Sequence, residues 1–295
     1  MPRYGAADVR RYYDRHTSAF VSLGQGRSTG AIQRAVWAPG GRDRQAAFHY
    51  VDDQIAALAQ AILDHQHSTQ SPAAIGQPTL HVVDLGCGVG ASLRYLAERL
   101  PLHGTGVTVS PVQADFATRS LEAAGLTSRV SCIEGDYCDL PADVRPADIA
   151  FAIESFVHTP SSERFFDQCR RLVRPGGFLI ICDDVRGDQE NSNAQRTIDE
   201  FCEGWHINAL LTPEQLRSRA SEAGFAHEWT RDLTPFLELR RWRDLAISAW
   251  LSTLSLLRID RSRHDDLVGG RALQTCLHRG WVRYELTVFR AGQRT

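Results

Sequence analysis

The sequence predicts an α/β protein built on a doubly wound, mostly parallel sheet, and three observations predict it. Between residues 79 and 185, short apolar runs alternate with helix-forming stretches, the pattern of strands joined by right-handed helical crossovers. The first of these runs ends in a glycine-rich turn, Gly86-Cys87-Gly88-Val89-Gly90. The chain of 295 residues is 43% hydrophobic with a formal net charge of -2, enough apolar residue for a large buried core and too much for a disordered chain.

The elements follow in order. Asp8 to Phe20 carries Val9, Tyr12, Tyr13 and Phe20 near helical spacing, with Asp8 as N-cap. Gly24, Gly26 and Gly30 break that helix, and Arg44 to His65 gives a second, with Phe48, Val51, Ile55, Leu58 and Ile62 on one face. Ser68 to Gln77 reads as a linker. Strands are expected at Leu80–Leu85, Gly104–Val109, Val130–Glu134, Ile149–Ile153 and Phe178–Cys182, with helices at Ser92–Leu100, Pro111–Ala124 and Ser162–Leu172. Arg186 to His206 reads as an insertion. Thr212-Pro213-Glu214-Gln215 starts a helix, with Thr as cap and Pro in the first turn. Arg240 to Leu257 is expected as a long amphipathic helix, and Trp281 to Arg290 as a closing edge strand. Three regions result: an N-terminal helical lid and substrate region over 1–75, a ligand-binding core over 76–185, and over 186–295 insertion helices with the completion of the fold.

Composition excludes several classes. No apolar run reaches the roughly 20 residues of a membrane helix, and no apolar leader is visible at the N-terminus. All 33 basic residues are Arg. The near-neutral balance argues against nucleic acid, whose binding needs a basic face. Seven cysteines at irregular spacing do not form a disulfide framework, so a reducing cytoplasm is expected. Cys132 and Cys138 are not at zinc spacing, and no metal ligands are read.

The chemistry sits in Val82-Val83-Asp84-Leu85-Gly86-Cys87-Gly88. A buried strand delivers an acid, and the glycines then let the backbone turn sharply at the carboxyl edge of the sheet, where ligands bind. The spacing G-x-G-x-G is not the G-x-G-x-x-G of a nicotinamide dehydrogenase. This stretch resembles the first motif of class I S-adenosylmethionine-dependent methyltransferases. Gly106-Val107-Thr108, Glu134-Gly135-Asp136-Tyr137, Ile153-Glu154-Ser155 and Leu172-Val173-Arg174-Pro175-Gly176-Gly177 follow in the family's order. The resemblance implies a Rossmann-like, seven-stranded fold with S-adenosylmethionine as cofactor. Asp84, Gly86 and Gly88 would line its methionine end, and Asp136 and Tyr137 its adenine. Where many members carry a ribose-binding acid, this chain has Thr108 and, one helical turn later, Gln113. In the similar small-molecule C-methyltransferases Thr and Gln serve there. The Tyr12-Tyr13-Asp14 segment resembles the lid that places Tyr13 over the cofactor.

The flanks narrow the substrate. Arg forks bind phosphate and aromatic faces stabilise a carbocation, and Gln33, Arg34, Trp37, Tyr50, Trp205 and Arg240 combine these groups. With them the chain resembles the isoprenyl (geranyl) diphosphate C-methyltransferases. That resemblance implies an alkene that takes the methyl, a cation that loses a proton to Glu154, and Mg2+ as a companion of the diphosphate. Gln33 and Arg34 stand where the geranyl enzymes carry a His-rich run, which leaves chain length and methylated carbon open. His158, four residues after Glu154, is the second catalytic candidate and could share its proton. Two other readings stay open: O- or N-methylation of a small secondary metabolite with His158 as base, and a cofactor-binding, cyclase-like protein that transfers no methyl. A homo-oligomer is neither predicted nor excluded by the sequence.

Overall fold

The computed structural model describes residues 4–23, 32–37, 43–69, 79–187, 192–239 and 265–293. Two helices lead, α1 (Ala6–Leu23) and α2 (Arg44–Thr69). They are followed by β1 (Leu80–Leu85), α3 (Ala91–Ala97), β2 (Leu102–Thr108), α4 (Pro111–Ala123) and β3 (Val130–Glu134). Next come β4 (Ala147–Ile153), α5 (Ser162–Leu172), β5 (Val173–Arg186), α6 (Ser192–Trp205), α7 (Pro213–Glu222) and β6 (Phe225–Asp232). Helix α8 (Asp265–Arg279) and β7 (Val282–Ala291) close the chain. The seven strands form one sheet in the order β3-β2-β1-β4-β5-β7-β6. The first five are parallel, and β7 runs antiparallel to β5 and β6. This is the doubly wound α/β fold that the sequence predicts.

Near-continuous apolar runs are what a sheet covered on both faces requires. Alternate side chains feed alternate cores. Leu80, Val82, Ile149, Phe151, Ile180 and Leu286 join the core under α2, α3, α6 and α8. Val83, Leu85, Ala150, Ala152, Leu179 and Phe289 join the one under α5 and α7.

Several expectations need correction. Asp8 does not cap α1 from outside; the helix starts two residues earlier, and the Asp8 carboxylate reaches back to accept the Gly5 N–H at 2.9 Å. Strand β5 starts five residues before the expected Phe178 and takes in Pro175-Gly176-Gly177, where the pairing register with β4 shifts. The stretch from Val282 is not an edge strand. It is buried between β5 and β6, and the edge is β6, whose exposed polar residues hide its strand character from periodicity. Helix α8 has no counterpart among the sequence expectations, and the expected helix over Arg240–Leu257 lies outside the described residues. The start of α7 is as read, with a full capping box between Thr212 and Gln215.

Helices α6 and α8 pack closely because glycines face each other. A Cβ on Gly269 would lie 2.6 Å from the Trp205 ring and 2.9 Å from the Gly204 Cα. Gly269→Ala should therefore force the helices apart and destabilise the fold by about 1–3 kcal/mol. Chemical denaturation would measure this, and unchanged stability would contradict the packing described.

Candidate active site

The order of strands reverses between β1 and β4, and a crevice at the carboxyl ends of these strands is where such a sheet binds ligands. A cavity of about 620 Å³ opens there. Its lining includes Asp84, Gly86, Gly88, Thr108, Gln113, Asp136 and Tyr137, together with Tyr13, Gln33, Arg34, Glu154, His158 and Trp205. Trp37 and Tyr50 are corrections to the sequence reading, since neither lines it. Trp37 packs on Ala35, Ala47 and Phe48, and its backbone N–H donates to the Phe236 carbonyl. Tyr50 takes a hydrogen bond from Arg231 at 2.9 Å. Arg240 lies outside the described residues.

The turn after β1 is shaped by backbone need. Gly86 has φ +91°, and a Cβ there would meet the Ser155 Cβ at 2.4 Å. Gly88, at φ +51°, has nothing nearer than 4.0 Å to a built Cβ, so a side chain would project into the space a ligand needs. The amides of Gly86 and Cys87 both donate to the Val107 carbonyl. Asp84 is 3% exposed, lines the cavity, and accepts no hydrogen bond from the described residues. Burial pushes its carboxyl well above the usual range. Such a group is an acceptor suited to a cationic partner. Thr108 donates to the Gln113 amide oxygen at 2.7 Å, which leaves the Gln113 NH₂ directed to other partners. The α1 helix is tied over this edge by Ser110 donating to Asp14 and by an Arg10–Glu134 ion pair at 2.8 Å. These residues fit S-adenosylmethionine: an unpartnered acid for its ammonium, a side-chain-free turn for its tail, and Thr108, Gln113 and Asp136 for ribose and adenine.

Glu154 begins where β4 ends. Its amide still pairs with the Cys182 carbonyl at 2.9 Å, but its φ is +50°, a left-handed conformation that a non-glycine residue adopts at a cost. In unbroken register Glu154 would share a face with Asp183, since Ile153 pairs with Cys182. The left-handed turn brings it instead to the other face, where Asp184 pairs with Tyr284 across β5 and β7. There Glu154 Oε1 accepts the Arg34 backbone N–H at 2.8 Å and the Tyr284 hydroxyl at 2.9 Å. Arg34 commits its fork to Asp184, with two bonds of 2.7 Å, and lies 4.7 Å over the Tyr284 ring. Oε2 of Glu154 receives no hydrogen bond from the described residues; the nearest cation, Arg34 Nε, is 3.9 Å away.

His158 follows in a short 3₁₀ turn, Phe156–His158, held by Asp183, whose carboxylate accepts the Val157 N–H. Its Nδ1 lies 3.2 Å from the His206 carbonyl, and a carbonyl only accepts, so Nδ1 carries the proton. Nε2 then accepts the Tyr13 hydroxyl at 2.8 Å. Burial lowers the His158 pKa to about 4, so the ring is neutral at pH 7. Sequence reasoning misses Tyr284, Asp183 and Asp184; two acids in an apolar strand are the available signal, and Tyr284 gives none. It also misses a cavity-lining face on α8 that carries polar residues. Leu267, Gly270, Arg271, Gln274 and His278 recur at helical spacing and line the cavity with Arg279. Neither Arg271 nor Arg279 forms an ion pair among the described residues.

Comparison with known proteins agrees with this geometry. Residues 82–177 match a family described as a methyltransferase domain. The chain is 31% identical over 152 residues to sterol methyltransferase-like 2 of Botryococcus braunii, covering 50% of this chain and 39% of that one. It is 30% identical over 192 residues to the chloroplastic tocopherol O-methyltransferase of Arabidopsis thaliana, covering 60% and 53%. The chain thus spans about half the length of the curated relatives it matches. Among solved structures, a mycolic acid cyclopropane synthase superposes with TM-score 0.73 at 16% identity, covering 97% and 98% of the two chains. The 4+2 cyclase SpnF gives 0.69 at 21%, covering 98% and 97%. Geranyl diphosphate C-methyltransferase from Streptomyces coelicolor A3(2), with Mg2+, geranyl diphosphate and S-adenosyl-L-homocysteine, gives 0.65 at 15%, covering 98% and 99%. Residues 82–177 thus match a methyltransferase domain, and the chain as a whole shares its fold with these solved structures.

The His158 environment has a measurable consequence. Its folded pKa lies below the unfolded value near 6.5, so the unfolded chain binds more protons between the two values. Stability should be complete above about pH 6.5 and fall by on the order of 3 kcal/mol as pH drops toward 4. Denaturation of His158→Gln should lack that component, and an identical pH dependence in wild type and variant would contradict the assignment.

Proposed function

We propose that the protein transfers a methyl group from S-adenosylmethionine to an alkene carbon of a short prenyl diphosphate, and that Glu154 takes the proton released afterwards. Bound on Asp84, Gly86, Gly88, Thr108, Gln113, Asp136 and Tyr137, the cofactor supplies a methyl electrophile. What this chain must then do is hold the alkene, exclude water, steady a positive charge on the methylated carbon, and remove a proton. The observation that carries the reading is the one-sided hydrogen bonding of Glu154. Its Oε1 is fixed by Arg34 and Tyr284 while Oε2 is left without a donor at the cavity. A carboxylate so held is positioned as a general base. Tyr13 and Trp205 line the cavity, where aromatic rings would attract a cation, and α1 closes the cavity over the cofactor edge.

Of the two cations the sequence suggests for the head group, Arg240 lies outside the described residues and Arg34 is committed to Asp184. The inner cavity is lined by the carboxyls of Asp84, Glu154, Asp183 and Asp184, which accept hydrogen bonds and offer no cation to a phosphate. Among the described residues, Arg271 and Arg279 on α8 are cavity-lining cations open to a diphosphate. Among the described residues no group of three or more His, Cys, Asp and Glu side chains could hold a metal. A Mg2+ would therefore rest chiefly on the phosphates themselves.

One observation favours a second reading. His158 is neutral at pH 7 and lines the cavity beside Tyr13, as a base for a hydroxyl substrate would be. O-methylation by a Tyr13–His158 pair is the competitor.

The readings separate cleanly. Incubated with labelled cofactor, short prenyl diphosphates should give a carbon-methylated product, and labelling of hydroxyl acceptors alone would overturn the proposal. Glu154→Gln should cut turnover about 100- to 10,000-fold with S-adenosylhomocysteine affinity unchanged; full turnover would remove Glu154 as base. Arg271→Gln should raise KM for the diphosphate about tenfold or more and leave kcat nearly untouched. An unchanged KM would move the head group elsewhere.

A further inference from the structure

Cys87 sits inside the cofactor turn, between two glycines with positive φ, and lines the cavity. Cys132 sits on β3, two strands away, with β2 between them. Side chains of β2 would normally separate the two. At the crossing point, however, β2 has Gly106, whose register partners are Asp84 on one side and Cys132 on the other. A Cβ built on Gly106 would lie 2.7 Å from the Cys87 sulfur and 2.8 Å from the Cys132 sulfur. Both thiols therefore fill the single gap left by the missing side chain. Both are free cysteines. Contact with Cys87 draws the Cys132 thiol below its ordinary value, which makes Cys132 the readier nucleophile.

We propose that Cys87 and Cys132 are an oxidisable pair, and that a disulfide between them across Gly106 disables the cofactor turn. The oxidant is a peroxide. The Cys132 sulfur attacks one peroxide oxygen; an S–O bond forms, the O–O bond breaks, and one water leaves. The Cys87 sulfur then displaces the sulfenic oxygen as a second water and the S–S bond forms. Two thiols lose two electrons and two protons, and hydrogen peroxide is reduced to two waters. The consequence follows from where Cys87 stands. Its neighbours Gly86 and Gly88 form the turn that must accept the cofactor tail without side chains, and the Gly86 and Cys87 amides share the Val107 carbonyl. Moving Cys87 into bonding distance of Cys132 moves that turn. Cys138 is engaged with the Thr159 hydroxyl at 3.0 Å, Cys169 and Cys182 are fully buried in the cores, and Cys202 and Cys276 lie on α6 and α8 rather than in the turn.

The test uses the full chain. The protein is treated with hydrogen peroxide, remaining thiols are alkylated, and peptides are mapped without reduction. A Cys87–Cys132 linked peptide is expected, and its absence overturns the proposal. This readout needs no ligand, so it stands apart from the methyl-transfer reading, which the reduced protein's binding of S-adenosylhomocysteine tests separately. Calorimetry should show that affinity fall about tenfold or more on oxidation and return with dithiothreitol. A linked peptide with unchanged affinity would overturn the control of the turn. Cys132→Ser should bind as the reduced wild type does and ignore peroxide, whereas Cys138→Ser should keep the response. Equal loss of affinity in Cys132→Ser would assign the effect to another residue and overturn the pair.

Discussion

The ion pair between Arg34 and Asp184 is the constraint on which the site depends. A parallel sheet gathers the ends of its strands at one edge, and in this chain those ends are acidic: Asp84, Glu154, Asp183 and Asp184. Burial and mutual repulsion act against such a set; the Asp183 carboxyl is held well above the usual range, first by burial and then by Asp184. Arg34 offsets this. Its fork takes Asp184, its amide takes Glu154, and its guanidinium covers Tyr284. Losing one member of a buried pair of this kind typically costs about 3–5 kcal/mol. Because Arg34 lies on the segment before α2, the same contacts fasten that segment to the sheet. Stability and the position of Glu154 are thus one problem with one solution.

What is legible in the sequence is local. Asp84 and the glycine turn can be read because an apolar strand, an acid and small residues are consecutive, and backbone conformation follows directly from them. The same holds for the Thr212 cap and for Thr108 with Gln113, one helical turn apart. Glu154 can be placed at a strand end, but its left-handed φ cannot, because it arises from partners far along the chain. Arg34 and Asp184 are 150 positions apart and Tyr284 and Glu154 are 130 apart. No periodicity joins such pairs. Sequence reasoning therefore gives Arg34 to a substrate phosphate, when an internal carboxylate already uses its fork. Trp37 and Tyr50 mislead for the opposite reason: aromatic residues near a site in sequence pack into the core as readily as they line a cavity. Strand β6 escapes notice because an edge strand with exposed polar residues lacks the alternation that marks a half-buried one.

The charged groups of the cavity are divided between its two sides. Carboxyls cluster at the strand ends, and Arg271 and Arg279 lie on α8. Apolar residues such as Ile153, Val157, Leu267 and Leu273 also line it. A fold shared by a cyclopropane synthase, a geranyl diphosphate C-methyltransferase and a cyclase does not choose among substrates; the polarity of the cavity is what argues for the proposed apolar chain with an anionic head.

A structure of the protein with S-adenosylhomocysteine and a non-reactive prenyl diphosphate analogue tests this account most directly. It should show the amino-acid tail on Asp84, Glu154 Oε2 directed at the alkene, and the phosphates against Arg271. Phosphates against the acidic strand ends, or a Glu154 carboxylate rotated off the Tyr284 hydroxyl and turned away from the alkene, would contradict it.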